Sequence, residues 1–168
     1  MLKWLWLSLG IIVFDQITKY LATDLLVYAK PVAVLPFFNF TLLHNTGAAF
    51  SFLSEAGGWQ RWFFALMAIA VSLGITVWLS RLQTKQRWLA IALALIVGGA
   101  LGNLWDRIYF GYVVDFIQVY YEQWYFPAFN IADSAITIGA GMLLLDGFFG
   151  KSAESDGSER DQNGKTIQ

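Results

Sequence analysis

Two windows of this 168-residue chain, Trp62 to Leu79 and Trp88 to Trp105, contain no charged side chain at all. A helix rises about 1.5 Å per residue, so with its flanks each window can cross a hydrocarbon layer roughly 30 Å thick. Two further windows are apolar enough to cross despite their charges, the first holding Asp15, Lys19 and Asp24 and the last holding Asp133 and Asp146. The predicted spans are therefore about 4–26, 62–80, 88–105 and 130–149. Composition agrees, with 57% hydrophobic and only 14% charged residues and a mean hydropathy of +0.53. A soluble domain needs more polar surface than that. Leu5 to Phe14 has the apolar character of a signal-peptide core, but the run continues through Asp15 and Lys19 without a small-residue cleavage site. It reads as an uncleaved first span.

Seven of the eight tryptophans, Trp4, Trp6, Trp59, Trp62, Trp78, Trp88 and Trp105, fall near predicted span ends, where an interfacial aromatic belt puts them. Arg81, Lys85 and Arg87 lie together between the second and third spans, with Lys3 before the first and Lys151 after the last. The positive-inside rule makes all three segments cytoplasmic. Residues 27–61 and 106–130 then face the other side, periplasmic in a bacterium. The polar stretch 151–168 lacks the apolar residues to build a core and is expected to be a disordered cytoplasmic tail, leaving 1–150 as the membrane domain. Gly98 and Gly102, one turn apart, suit close helix approach inside one bundle and imply no oligomer, so the chain is expected to act as a monomer.

A formal net charge of −1 supplies no basic field for a phosphate backbone, so nucleic acid is not expected as a partner. The absence of cysteine excludes disulfides, thiolate metal sites and a cysteine nucleophile. With a single histidine, His44, and no HExxH, the ligands of a zinc peptidase are missing, and neither metal nor cofactor is expected. A serine mechanism lacks a GxSxG motif, although Ser134 sits beside Asp133.

The outer segments are not ordinary loops. Phe37 to Leu43 is aromatic and β-prone, Asn45-Thr46-Gly47 supplies turn residues, and Ala49 to Leu53 resumes; Tyr112 to Tyr120 gives another β-like run containing Asp115. The predicted architecture is all-α in the membrane, a four-helix bundle with a small β-sheet platform on the periplasmic side. Apolar strands there would cap the bundle or cover a groove for a greasy substrate.

Ionisable residues inside spans are costly and face the bundle interior or mark function. Asp15 and Lys19 are four apart on one face of the first span; Asn103, Asp106 and Arg107 share a face at the outer end of the third; Asn130 and Asp133 open the fourth. Three helices thus offer polar groups to one external pocket, which Asp115 can reach from its strand. Two carboxylates in a partly dry site cannot both ionise easily, so one keeps a proton while the other activates water, as an aspartic peptidase requires. Spacing alone leaves open a loop carboxylate at Asp115 and a helix-start carboxylate at Asp133. It also leaves Asp15 and Lys19 as a structural pair, Asn45 and Gly47 as turn formers, and Arg107 as an interfacial anchor or the partner of a nearby carboxylate. A small proton-coupled transporter is the rival class; it would set its carboxylates near the midplane, where only Asp15 lies.

The segments Phe14 to Lys19, Asn45 to Phe50, Gly102 to Arg107, Val113 to Phe116 and Phe129 to Ser134 resemble, in order, the signature blocks of bacterial lipoprotein signal peptidase, the signal peptidase II family. The resemblance spans nearly the whole chain except the tail. It implies an inner-membrane aspartic endopeptidase acting on prolipoproteins, cutting before a cysteine that carries a diacylglyceryl group. It further implies that Asp115 and Asp133 form the catalytic dyad. Asn45, Gly47, Asn103, Arg107, Asn130 and Ala132 would line or order the site, with Asp15, Lys19 and Asp106 supporting it. Its partners would be lipid-modified prolipoproteins and membrane lipid.

Overall fold

The computed structural model describes the backbone of residues 1–47 and 58–164 and side chains as far as Phe148. A single 3₁₀ turn, Leu2–Trp4, leads into α1 (Leu5–Leu25); α2 is Trp59–Arg81, α3 is Arg87–Tyr109 and α4 is Ile131–Gly164. Four helical segments among the described residues, Leu2–Leu25, Trp59–Arg81, Arg87–Tyr109 and Ile131–Phe148, are long and apolar enough to cross a membrane. The expected spans fall on them. The backbone of α4 continues as helix to Gly164. Residues 151–164 contain no proline, and extending an existing helix costs far less than nucleating one.

The exposure pattern inverts that of a soluble bundle. Trp6, Leu66, Leu73 and Leu144 point outward with more than 60% of their surface free, whereas the buried residues include Asp15, Lys19, Asn103 and Asp106. In water such an apolar exterior would be a liability; in lipid it is the solvated face. α3 is the central helix, packed on α1, α2 and α4, and its run of alanines and glycines allows this. Ala90, Ala92, Leu93 and Ala94 have no exposed surface. Gly98 lies against Ser8 and Ile11 of α1, Gly102 against Asp15 of α1 and Ala132 of α4, so both small residues mediate close packing inside one bundle. The Ser8 hydroxyl, buried in that contact, donates to the Ala94 carbonyl at 2.7 Å.

One antiparallel sheet, in the order β1 (Val32–Leu35), β2 (Phe38–Asn45), β3 (Val113–Tyr121) and β4 (Trp124–Tyr125), lies at the end of the bundle where α1 and α3 finish and α4 begins. β2 and β3 match the β-prone runs of the sequence. β1, held between Pro31 and Pro36, and the two-residue β4 were not expected. The second half of the predicted hairpin, Ala49 to Leu53, lies outside the described residues. In the β2–β3 ladder Leu43 opposes Asp115 and Asn45 opposes Val113. Asn45 is therefore a diagonal neighbour of Asp115 on one face of the sheet. Phe129, just before α4, exchanges backbone bonds with Ile117, so the start of α4 is tied to the strand that carries Asp115.

Candidate active site

The polar side chains predicted from separate segments meet where α1, α3, α4 and β3 converge. Lys19, 3% exposed, is the hub: its ammonium lies 2.8 Å from Asp15 and 2.9 Å from Asp106, both fully buried, and donates to the Asn103 carboxamide oxygen at 3.0 Å. One positive charge thus sits between two negative ones. Both carboxylates also reach the backbone, Asp106 through the Oδ2 that faces Lys19 and Asp15 through its other oxygen. Asp106 accepts the Val114 N–H at 3.0 Å, and Asp15 accepts the Ala132 N–H at 2.9 Å. Val114 directly precedes Asp115, and Ala132 directly precedes Asp133. The buried ion cluster therefore fixes the backbone one residue ahead of each candidate catalytic carboxylate.

Two asparagines join those carboxylates. Asn130, fully buried, donates from its amide to Asp115 at 2.7 Å and accepts the Asp133 N–H on its oxygen at 2.9 Å. The second bond caps α4, since an asparagine carbonyl at the N-cap takes the free N–H three residues on. Asn103 donates to Asp133 at 2.7 Å, and its oxygen, already held by Lys19, also takes an amide N–H of Asn130 at 3.2 Å. Asn45 completes the ring. Its side-chain oxygen accepts the Gly47 N–H at 2.8 Å, which leaves its amide to donate to Asp115. Gly47 has φ +89°, the left-handed region, and a Cβ there would fall 2.6 Å from the Phe64 ring.

Asp115 is 2% exposed, whereas Asp133 is half-buried and lines a cavity of about 430 Å³ with Phe126, Phe129, Ser134, Thr137 and Ile138. Burial, reinforced by the nearby Asp133 charge, raises the Asp115 carboxyl to about 7 against the opposing hydrogen bonds from Asn45 and Asn130. A carboxyl placed so can carry a proton at neutral pH.

Arg107 is neither a direct partner of the carboxylates nor an exposed anchor. It donates to the Asn103 carbonyl at 3.3 Å, and its guanidinium lies over the Phe64 ring at 5.2 Å. Among the described residues it forms no ion pair, but its charge lies in the field of Asp133 and Asp115. Ala132, with no exposed surface, is the small residue that lets α4 approach α3. Two residues escaped sequence reasoning. Gln16 donates to Asp106 at 2.8 Å and contacts the Gly102 carbonyl and Asp15 at 3.3 Å, and a polar residue beside Asp15 in an apolar run was a usable signal. Phe64, shared by Gly47 and Arg107, gave none. His44, on β2, stacks on Tyr112 at 4.0 Å and stands outside the polar ring.

Comparison with known proteins identifies the family. Residues 7–149 match the family model described as signal peptidase (SPase) II. A lipoprotein signal peptidase of Acinetobacter baumannii is 63% identical over 88% of this chain and 84% of its own length. Those of Pseudomonas fluorescens and Pseudomonas aeruginosa are 58% identical, over 89% of both chains, and 55% identical, over 90% and 91%. A solved bacterial membrane enzyme, 31% identical, superposes with a TM-score of 0.78 over 90% of both chains. With a match that covers all four helices and the sheet between them, this chain belongs to the signal peptidase II family and is a membrane protease.

Proposed function

We propose that the chain is an aspartic endopeptidase that removes the signal peptide from prolipoproteins whose cysteine carries a diacylglyceryl group, with Asp115 and Asp133 as its dyad. The observation that carries this reading is the Asn130 bridge, which holds a buried Asp115 with a carboxyl near 7 against the same side chain that caps Asp133. Asp115 keeps the shared proton and donates it toward the scissile carbonyl oxygen. Asp133, facing the cavity, takes a proton from water as that water attacks the carbonyl carbon. The tetrahedral diol collapses as the C–N bond breaks: the proton on its former carbonyl oxygen returns to Asp115, and the proton held by Asp133 passes to the departing cysteine nitrogen. Both carboxyls then stand ready for another water.

The apolar rim suits the substrate. The cavity beside Asp133 is walled by Phe126, Phe129 and Ile138, next to the lipid-facing surface, where a lipid-modified residue needs no transfer into water. The cluster of Arg81, Lys85 and Arg87 at the other end of the bundle supports a cytoplasmic assignment for both termini, with the dyad at the periplasmic side of a bacterial inner membrane.

The test is cleavage of a lipidated prolipoprotein peptide by Asp115→Asn and Asp133→Asn. Each is expected to lose cleavage while inserting and purifying as the parent does. Full turnover by either variant removes the dyad assignment, and equal turnover of the unlipidated peptide removes the substrate assignment.

A further inference from the structure

The end of the bundle opposite the sheet holds a cavity of about 420 Å³ lined by Met1, Lys3, Thr84 and Arg87. From these residues we infer a binding site for the phosphate headgroup of an anionic phospholipid. It is separate from the candidate active site, and the inference is independent of the dyad.

Three features of the cavity point to an anion. Lys3 and Arg87 both reach it, and neither forms an ion pair among the described residues. Arg81, the last residue of α2, and Lys85, on the α2–α3 connection, lie outside the cavity and carry charge of the same sign. Asp146, one turn beyond Met142, whose carbonyl accepts the Trp88 indole N–H, is exposed and pairs with none of them. The third feature is the start of α3. Gln86, its N-cap residue, commits its side-chain oxygen to the Gln83 N–H at 2.8 Å, so no side chain caps the first turn. The positive end of a 23-residue helix thus adds to the two cations.

The surroundings favour a lipid over a free anion. Leu2, Trp6 and Trp88 are exposed around this end of the bundle, forming an apolar surface continuous with the membrane-facing helices. A phosphate seated on Lys3 and Arg87 would have its acyl chains alongside that surface. Basic pockets between membrane helices take lipid headgroups on this principle, each cation near an anionic leaflet adding to the attraction. Thr84 supplies a hydroxyl for a phosphate or glycerol oxygen.

The experiment measures thermal unfolding of the purified full chain in neutral detergent, with phosphatidylglycerol or phosphatidylcholine at equal mole fraction, or with inorganic phosphate. Phosphatidylglycerol should raise the midpoint by about 2–4 °C more than phosphatidylcholine. The double variant Lys3→Gln/Arg87→Gln should lose that difference. Both side chains are exposed, so the substitutions leave the core intact. Arg81→Gln/Lys85→Gln, which removes the same charge outside the cavity, should keep it. Equal shifts with the two lipids, an equal shift with inorganic phosphate, or an undiminished response in Lys3→Gln/Arg87→Gln would each overturn the site.

Discussion

Gly99→Ala should inactivate the enzyme from a position that touches no substrate. A Cβ at Gly99 would sit 2.3 Å from the Ala132 carbonyl oxygen and 2.7 Å from Ile136, and real Cβ contacts essentially never fall below 3.0 Å. The obstruction at Ala132 is backbone, so no rotamer change relieves it and α4 must retreat by about 0.7–1.1 Å to restore contact. That retreat displaces Asp133, the next residue, relative to Asp115, which β3 holds in place. A misplacement of about 1 Å in a reacting group costs on the order of 10²-fold in rate. Gly139→Ala meets a similar obstacle, 2.6 Å from the Ala92 carbonyl oxygen, but two turns farther along α4 from Asp133. Gly141→Ala meets nothing within 4 Å. Steady-state cleavage of a lipidated peptide, paired with thermal unfolding, should rank the losses of kcat as Gly99→Ala, then Gly139→Ala, then Gly141→Ala with none. Both clashing variants should lose about 1–3 kcal/mol of stability. Parental kcat in a folded Gly99→Ala protein would refute the link between the α3–α4 seam and dyad spacing.

The pH profile should show an alkaline limb near 7 in kcat/KM, because the Asp115 carboxyl, raised to about 7 by burial and by Asp133, must hold its proton to act as the acid. Asn45→Ala removes a hydrogen bond that favours the ionised form, so the limb should move to higher pH; a downward move would contradict the assigned bond. Folding stability should follow the same group. The folded state holds this proton more tightly than the unfolded chain, so the contribution is full below 3.8 and is lost as pH rises through about 7, which unfolding at a series of pH values would register. Lys19→Met leaves Asp15 and Asp106 buried without their cation and should cost about 3–5 kcal/mol in unfolding measurements. Gly47→Ala combines a positive φ with a 2.6 Å approach to Phe64 and should lower cleavage severalfold, with Phe64→Ala/Gly47→Ala recovering part of it if the ring is the obstacle.

How much of this was legible depended on whether a residue's role was set by its neighbours in sequence or by distant packing. Charge-free runs on α2 and α3 announce spans because length and hydropathy are local properties. Asp15 and Lys19 were readable as a pair because one helix turn separates them, and their charged groups lie 2.8 Å apart. That their acceptor oxygens reach the backbone ahead of Asp115 and Asp133 was not readable, since it depends on how α1 docks against β3 and α4. Gly98 and Gly102 stood out as a spaced pair, yet the tightest approach lies at Gly99, whose neighbour Ala132 is 33 positions away in sequence. β1 and β4 have too few residues to make a pattern of their own, and their pairing comes from the neighbours that β2 and β3 provide.

A buried Asp–Lys–Asp cluster is an expensive way to hold helices together, since apolar side chains of similar volume would pack with no desolvation cost. Its geometry suggests what it supplies instead. An apolar contact tolerates sliding, whereas Asp106 to the Val114 N–H and Asp15 to the Ala132 N–H are directional bonds at 3.0 and 2.9 Å that act on two different chain segments. Because both carboxylates are clamped to the same Lys19 ammonium, the distance between those two backbone points is set through a single rigid centre. Lys19 also orients the Asn103 carboxamide by occupying its oxygen, which turns the amide toward Asp133. On these grounds we propose that the cluster positions the two carboxyls, with its cation on α1, the helix that packs against α3, α4 and β3.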